Sequence, residues 1–387
     1  MLRAVAEVNL AAIERNTAHL RRLVAHHRPG HHAHVCAVVK ADGYGHGAVP
    51  AARAALAGGA RTLAVATSTE VVELRAAGIE GPILVLGALS SEELPDVIAA
   101  GGDVIAWEEG FVEQLQDHLD AVGPASTSGS APVRIHVKLD TGLGRLGTRS
   151  MDQALAVARL AVRDPRLDLV GVMTHLATAD SDPEFAHRQL ESFRPFVAEA
   201  RALARESIVA HAANSAATLL IPESHLDMVR TGIAIYGADP LNDSPDDYGL
   251  EPALALRSYV AALKPIRAGQ SIGYGRHFVA GADSYIATLP IGYGDGISRA
   301  LANNCDVLIG GHRYPVRGMV SMDNITVEVG PDLLVRVGDR ATLIGSDGDQ
   351  RLTAEDMAKR LGTISYEVFC SISKRVPRVY HRDGEPT

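Results

Sequence analysis

Cysteine is scarce in this 387-residue chain: Cys36, Cys305 and Cys370 are widely spaced and form no CxxC pair. An odd, scattered set supports neither a disulfide framework nor a zinc site, and a reducing compartment is expected. Long hydrophobic runs are missing too. No stretch approaches the ~18 uninterrupted apolar residues of a membrane helix. The opening MLRAVAEVNLAAIERN puts Glu7, Glu14 and Arg15 where a secretory segment would be apolar. No membrane partner is expected, and the chain reads as a soluble, cytoplasmic protein. Nor is positive charge in excess: 37 basic against 46 acidic residues leave a net charge of -9, which argues against nucleic acid as the main partner. Small-molecule chemistry remains.

What is present is a globular composition, 47% hydrophobic and 21% charged, in a chain longer than one ordinary domain. Apolar β-branched runs occur at 34–40, 62–67, 82–87, 103–107, 133–139, 169–174, 208–212 and 228–236. Amphipathic stretches lie between them at 10–28, 47–58, 68–77, 90–100, 108–120, 151–163 and 184–206, with only a short helical piece after the seventh run. Eight such steps are what a closed parallel (β/α)8 barrel of the TIM type requires; a doubly wound open sheet is the alternative. After about residue 245 short strands with Gly turns follow, such as SYVAALKPI, DVLIGGHRYPVRGMV and NITVEVG, so a predominantly β C-terminal domain is expected. Its one clear helix should start at Thr353, in TAED, and end near Gly362. The Pro, Asp and Gly content of 238–250 puts the boundary there, giving domains 1–245 and 246–387, with residues 1–10 free to pack with the second. The segment 123–132 reads as a flexible loop inside the first domain. The five histidines of HHRPGHHAH (26–34) read as surface residues, with no cysteine or carboxylate at ligand spacing; no metal is expected.

HVCAVVK runs into KADGYGHG, so Lys40 stands at the carboxyl end of a strand, the face on which barrels build active sites. Partial desolvation there lowers an amine pKa and makes it a usable nucleophile, although a snorkelling surface lysine would look the same. Arg145, His175, Asn214, Ser215 and Arg230 sit at or near the same end of later strands. Singly, His175 reads equally as a core histidine, Arg145 as a loop charge and Ser215 as a helix N-cap. In an eight-strand register they converge.

The motifs KADGYGHG, KLDTGLGRLG, THLATAD, ANSAAT, VRTGIAIYG, SIGYG, LPIGYGDG, SMDN and SYEVFCSISKRVPR occur in the order and approximate spacing of the bacterial alanine racemases, from about residue 4 to residue 380. The resemblance implies a pyridoxal 5'-phosphate (PLP) enzyme with a barrel, a C-terminal β domain and active sites shared across a homodimer. It would interconvert L- and D-alanine and supply D-alanine for peptidoglycan. By resemblance Lys40 holds PLP and acts as one catalytic base, and Tyr274 of the other subunit is the opposing base. Arg230 then faces the pyridine nitrogen, with His175 orienting it, and Asn214 lies by the cofactor. Tyr44, Ser215, Tyr366 and the amides of Gly232 and Ile233 hold the phosphate. Arg145 serves cofactor and substrate carboxylate, Met322 and Asp323 approach the substrate, and Asp180, Tyr293 and Arg299 line the entrance. Lys138 matches a lysine that some members carry carbamylated. Two positions depart from the pattern: Gly43, expected to loosen the turn before Tyr44, and Met319, where many relatives have arginine. A broad-specificity or serine racemase, a fold-related amino-acid decarboxylase and a non-catalytic PLP carrier are the alternatives.

Overall fold

The computed structural model describes residues 2–26, 33–122 and 131–387. Most of the histidine cluster at 26–34 and of the loop at 123–132 therefore lies outside the described residues. Two compact units emerge: one holds Glu14–Gly43 and Ala48–Ile235, the other the N-terminal residues to Ile13, Tyr44–Gly47 and Tyr236–Thr387. Among the described residues no helix is long and apolar enough to cross a membrane.

The chain opens with β1 (Ala4–Asn9), part of the second unit, and continues through β2 (His34–Val38), β3 (Thr62–Val65), β4 (Ile83–Val85), β5 (Val104–Ala106), β6 (Val133–Lys138), β7 (Leu167–Met173), β8 (Val209–His211) and β9 (Met228–Thr231). These last eight are all parallel, in the orders β4-β3-β2-β9 and β5-β6-β7-β8. Asp103 joins β4 to β5 through bonds between its backbone and those of Ile83 and Val85. At the other seam the amides of Asp227 and Arg230 reach the carbonyls of Ala210 and Ala213, both at 3.0 Å. The result is the eight-stranded parallel barrel, whose strands are almost wholly buried because helices cover their outer face and side chains fill the interior.

Every barrel strand but β7 is shorter than its apolar run, and at two of them the cause is visible. β2 stops at Val38, because Ala41, Asp42, Gly43 and Tyr44 all take positive φ, between 52° and 60°. Gly43 fits this left-handed turn at least cost and does not loosen it: its amide closes on the Val39 carbonyl at 2.9 Å. β9 stops at Thr231, since the amides of Gly232 and Ala234 turn to Ser215 Oγ and residues Ile233–Tyr236 coil into a 3-10 turn. The helix foreseen over 90–100 is confined to Leu94–Ala99.

In the second unit, β1 is central to its sheet. It runs antiparallel to Leu254–Tyr259 and parallel to Arg378–Arg382, with Ala4, Ala6 and Val8 buried on one face. A separate three-stranded antiparallel sheet is built from Ala262–Ile266, Ser284–Leu289 and Ile325–Gly330. The helix Ala354–Leu361 starts at Thr353, whose hydroxyl and backbone exchange both capping bonds with Asp356, and ends at the left-handed Gly362. A second helix, Ser365–Ser371, follows it and was not foreseen.

Candidate active site

Lys40 lies two residues beyond β2, at the start of the left-handed turn. The Ala41 amide that follows it is held by Glu70 Oε1 at 2.6 Å, and Asp42 Oδ1 accepts the Ala48 amide at 2.9 Å. Four consecutive left-handed residues, three of them not glycine, cost conformational energy, so external anchors of this kind are needed to hold them. Glu70 also accepts the Thr67 amide as part of its helix's capping box, and the amide of Ala66 beside it. One carboxylate thus ties the segment after Lys40 to the end of the neighbouring strand.

Arg230 sits in β9, which pairs with β2 in a register that sets it opposite Cys36. It is 3% exposed and makes four bonds. Nη1 meets His211 Nδ1 at 2.7 Å; Nη2 donates to the carbonyls of Thr174 (2.9 Å) and Ala212 (3.0 Å) and meets His175 Nδ1 at 3.1 Å. Nε takes part in none of them. Burial lowers the guanidinium pKa to about 10, still well above neutrality, so Arg230 remains a cation and donor. Burial, then the Arg230 charge, pushes His175 and His211 well below the ordinary imidazole range, so both are neutral acceptors.

Lys138 ends β6 and is buried. Burial, followed by the charges of Arg230 and Arg145, lowers its amine to about 8, while Asp140 acts in the opposite direction. Arg145 itself is exposed, on a loop organised by Asp140, whose carboxylate accepts the amides of Gly142 and Gly144 and Arg149 Nε. Ser215 is buried, and its oxygen accepts the amides of Gly232 (3.0 Å) and Ala234 (3.4 Å), leaving its own hydrogen to donate outward. The N-cap of its helix is Asn214, which accepts the Ala217 amide at 2.9 Å; Ser215 is not the cap. Asp180 is exposed and bonded by Ser181.

In the other unit, the Tyr44 ring lies 5.2 Å from Tyr236 and 5.9 Å from Tyr366. Tyr274 opens a tight turn and is 70% exposed. Met322 and Tyr293 are exposed as well, and their loops are joined: the Tyr293 amide donates to the Ser321 carbonyl and Gly294 to that of Met322. Asp323 accepts from Arg375 at 2.6 Å. Arg299 stands exposed in a 3-10 turn, and Met319 is half-buried. Sequence reasoning missed His211, His136, Asp103 and Glu70. Histidines inside two buried strands were the only signal, and each alone reads as a core residue.

The donor set of the barrel unit fits PLP. An amine stands at a strand end, a buried guanidinium keeps one nitrogen out of its protein bonds, and a buried hydroxyl has its acceptor side filled by amides. These suit a carbonyl carbon, a ring nitrogen and a phosphate oxygen respectively. Among the described residues no cluster could hold a metal ion.

Family models for the alanine racemase N-terminal and C-terminal domains match residues 8–240 and 253–380. The alanine racemase of Symbiobacterium thermophilum is 43% identical over 379 residues, covering 97% of this chain and 96% of its own. Alanine racemase 1 of Bacillus subtilis is 39% identical, covering 98% and 93%. The crystal structure of alanine racemase from D-cycloserine producing Streptomyces lavendulae superposes with a TM-score of 0.90 at 36% identity, over 98% of this chain and 97% of that one. With two family models spanning most of its length and full-length relatives at this identity, the chain belongs to the alanine racemase family.

Proposed function

We propose that the protein interconverts L- and D-alanine with PLP, using Lys40 and Tyr274 as bases on opposite sides of the substrate Cα. The observation that carries this reading is the pairing of β2 with β9, which sets the strand leading to Lys40 beside the strand holding Arg230, a buried cation with no carboxylate among its four partners. When bound, PLP supplies the electron sink that acidifies the Cα proton.

The chain's own residues do the rest. Lys40 takes or returns a proton at Nζ, and Tyr274 does so at its phenolic oxygen, one on each side, which is what inversion requires. Arg230 meets the ring nitrogen as a donor that cannot surrender its proton at neutral pH, which weakens the sink and suppresses transamination. His175 accepts from Arg230 and orients it. Ser215, Tyr44, Tyr366 and the Gly232 and Ile233 amides are assigned to the phosphate, with Asn214 beside them. Since the Gly232 amide is bonded to Ser215 Oγ, the serine hydroxyl is the more direct donor of that pair. Arg145, Met322 and Asp323 are assigned to the substrate carboxylate, and Asp180, Tyr293 and Arg299 to the entrance. Tyr274 acts from a second copy, in a homodimer with shared sites; its exposure in the single chain supports this.

Lys138 is assigned as a carbamylation site. An amine lowered to about 8 is largely unprotonated at mildly alkaline pH, and the carbamate would place an anion among the cations Arg145 and Arg230. A carbamate signal after equilibration with 13C-bicarbonate, absent from Lys138→Met, is the expected result. We put the functional boundary near residue 245; the end of one family match at 240 and the start of the other at 253 support this. We place the enzyme in the cytoplasm, supplying D-alanine for peptidoglycan.

The test is deuterium incorporation at Cα across a panel of amino acids, with and without added PLP. Exchange and inversion strongest for alanine, without carbon dioxide release, is expected. Equal turnover of serine or long-chain amino acids would make it a broad-specificity racemase, and no exchange would make it a PLP carrier.

A further inference from the structure

The bond between Arg230 and His211 fixes more than a distance. A guanidinium only donates, so His211 Nδ1 must accept. A neutral imidazole that accepts at Nδ1 carries its hydrogen on Nε2, and that atom lies 2.8 Å from His136 Nδ1. His136 therefore accepts in turn and carries its own hydrogen on Nε2, which faces Asp103 Oδ2 at 3.5 Å. This last gap is longer than a hydrogen bond and works as a charge–dipole contact. Asp103 is 1% exposed and is held in place by Arg134 Nε at 2.9 Å. Protonating His211 would abolish its acceptor side, which both Arg230 and its burial oppose.

His136 lies on β6 and His211 on β8, with β7 between them. They meet because the intervening residue is Gly171. A Cβ built there would fall 2.1 Å from His136 Nδ1 and 2.6 Å from its Cε1. Gly171 is not among the positive-φ residues, so its missing side chain is a matter of room and not of backbone conformation.

We propose that Asp103, His136 and His211 form a positioning chain for Arg230, with Gly171 as the gap that lets it pass over β7. The functional consequence rests on the reading of Arg230 as the donor to the cofactor's ring nitrogen. His211 holds Nη1, while Thr174, Ala212 and His175 hold Nη2. Because the guanidinium is planar and rigid, fixing both terminal nitrogens fixes Nε. With every hydrogen directed from Arg230 towards the carboxylate, neither imidazole can change tautomer without leaving a buried donor facing a donor.

The test begins with 15N-histidine NMR on the holoenzyme at pH 7.5. Both His136 and His211 should be neutral Nε2–H tautomers, and Gly171→Ala should perturb the two signals together. Either ring carrying its hydrogen on Nδ1 overturns the chain, and this readout is independent of which amino acid is the substrate. His211→Leu should then lower kcat by roughly 10–100-fold with little change in KM, the usual range for losing an outer partner of a functional group. His211→Asn, whose amide oxygen can stand in for Nδ1, should recover most of that loss. Parental kcat in His211→Leu, or no difference between Leu and Asn, would refute the positioning role. Should both variants fail to fold, Asp103→Asn, which keeps an oxygen but removes the charge, is compared by the same NMR signals. Unchanged signals and kcat there would remove Asp103 from the chain.

Discussion

Glu70 Oε1 accepts the backbone amide of Ala41 at 2.6 Å, so a carboxylate on a neighbouring helix clamps the peptide next to Lys40. Its other oxygen accepts the amides of Ala66 and Thr67. Glutamine has only one acceptor oxygen, so Glu70→Gln must turn an NH2 group towards one of these sets of donors. We expect a loss of ~1–2 kcal/mol in urea unfolding, from unsatisfied amides. A fall in kcat of about tenfold or more should accompany it, because the clamp holds the backbone of the proposed base and a displaced base reacts poorly. Parental kcat would show that the clamp serves the helix cap alone.

Asp295 is wholly buried and receives Arg3 at 2.6 Å and the Gly292 amide at 2.9 Å, while Arg375 Nε stands 3.5 Å away. It thereby anchors the turn carrying Tyr293. Asp295→Ala strands a buried amide and removes the partner of a half-exposed arginine. A destabilisation of about 2–3 kcal/mol is expected, below the cost of a fully buried pair. Thermal unfolding measures it, and a shift within error would assign the turn's stability to its backbone bonds.

The barrel was legible because its eight strands are short apolar runs and all but the last are followed by a helix-forming stretch. The helix at Ala354 was legible because Thr353, Asp356 and Gly362 are start and stop signals that act locally. β1 was not. It has only six residues, runs directly into a helix, and draws its order from Leu254–Tyr259 and Arg378–Arg382, far along the chain. The end of β9 was missed because Ile233, Ala234 and Ile235 are as apolar as a strand; only the Ser215 hydroxyl, 17 residues away in sequence, turns them into a coil. Motif order supplied the proposed site residues, whereas the His136–His211 pair depends on the register of three strands, which no local pattern records.

Lys138 gives a pH signature. Its amine falls from 10.5 to about 8 in the folded chain, chiefly through burial. Below pH 8 it is charged in both states, and the fold bears the full cost of a buried cation. Between about 8 and 10.5 the unfolded chain binds the extra proton, so this residue's contribution to stability improves as pH rises. Lys138→Met removes the group, and its advantage over the parent, at most about 3 kcal/mol, should shrink between pH 7.5 and 9.5. Urea midpoints in bicarbonate-free buffer measure this. A gap that is constant with pH would mean that Lys138 keeps its proton in the fold as it does in the unfolded chain, and that burial does not lower its pKa.

The division of labour between Lys40 and Tyr274 can be tested by mixing two inactive proteins. Lys40→Ala should lack the cofactor's visible absorbance, and Tyr274→Phe should keep it; neither should racemise alanine. If each site takes Lys40 from one chain and Tyr274 from the other, a heterodimer of the two variants contains one site with both lesions and one with none. Random reassortment at equal concentrations makes about half the dimers hetero, so about a quarter of parental activity should return. If both residues came from the same chain, every site would carry a lesion and mixing would restore nothing. The 70% exposure of Tyr274 in the single chain favours the first outcome. Activity in Tyr274→Phe alone would remove the phenol from the two-base scheme whatever the mixture does.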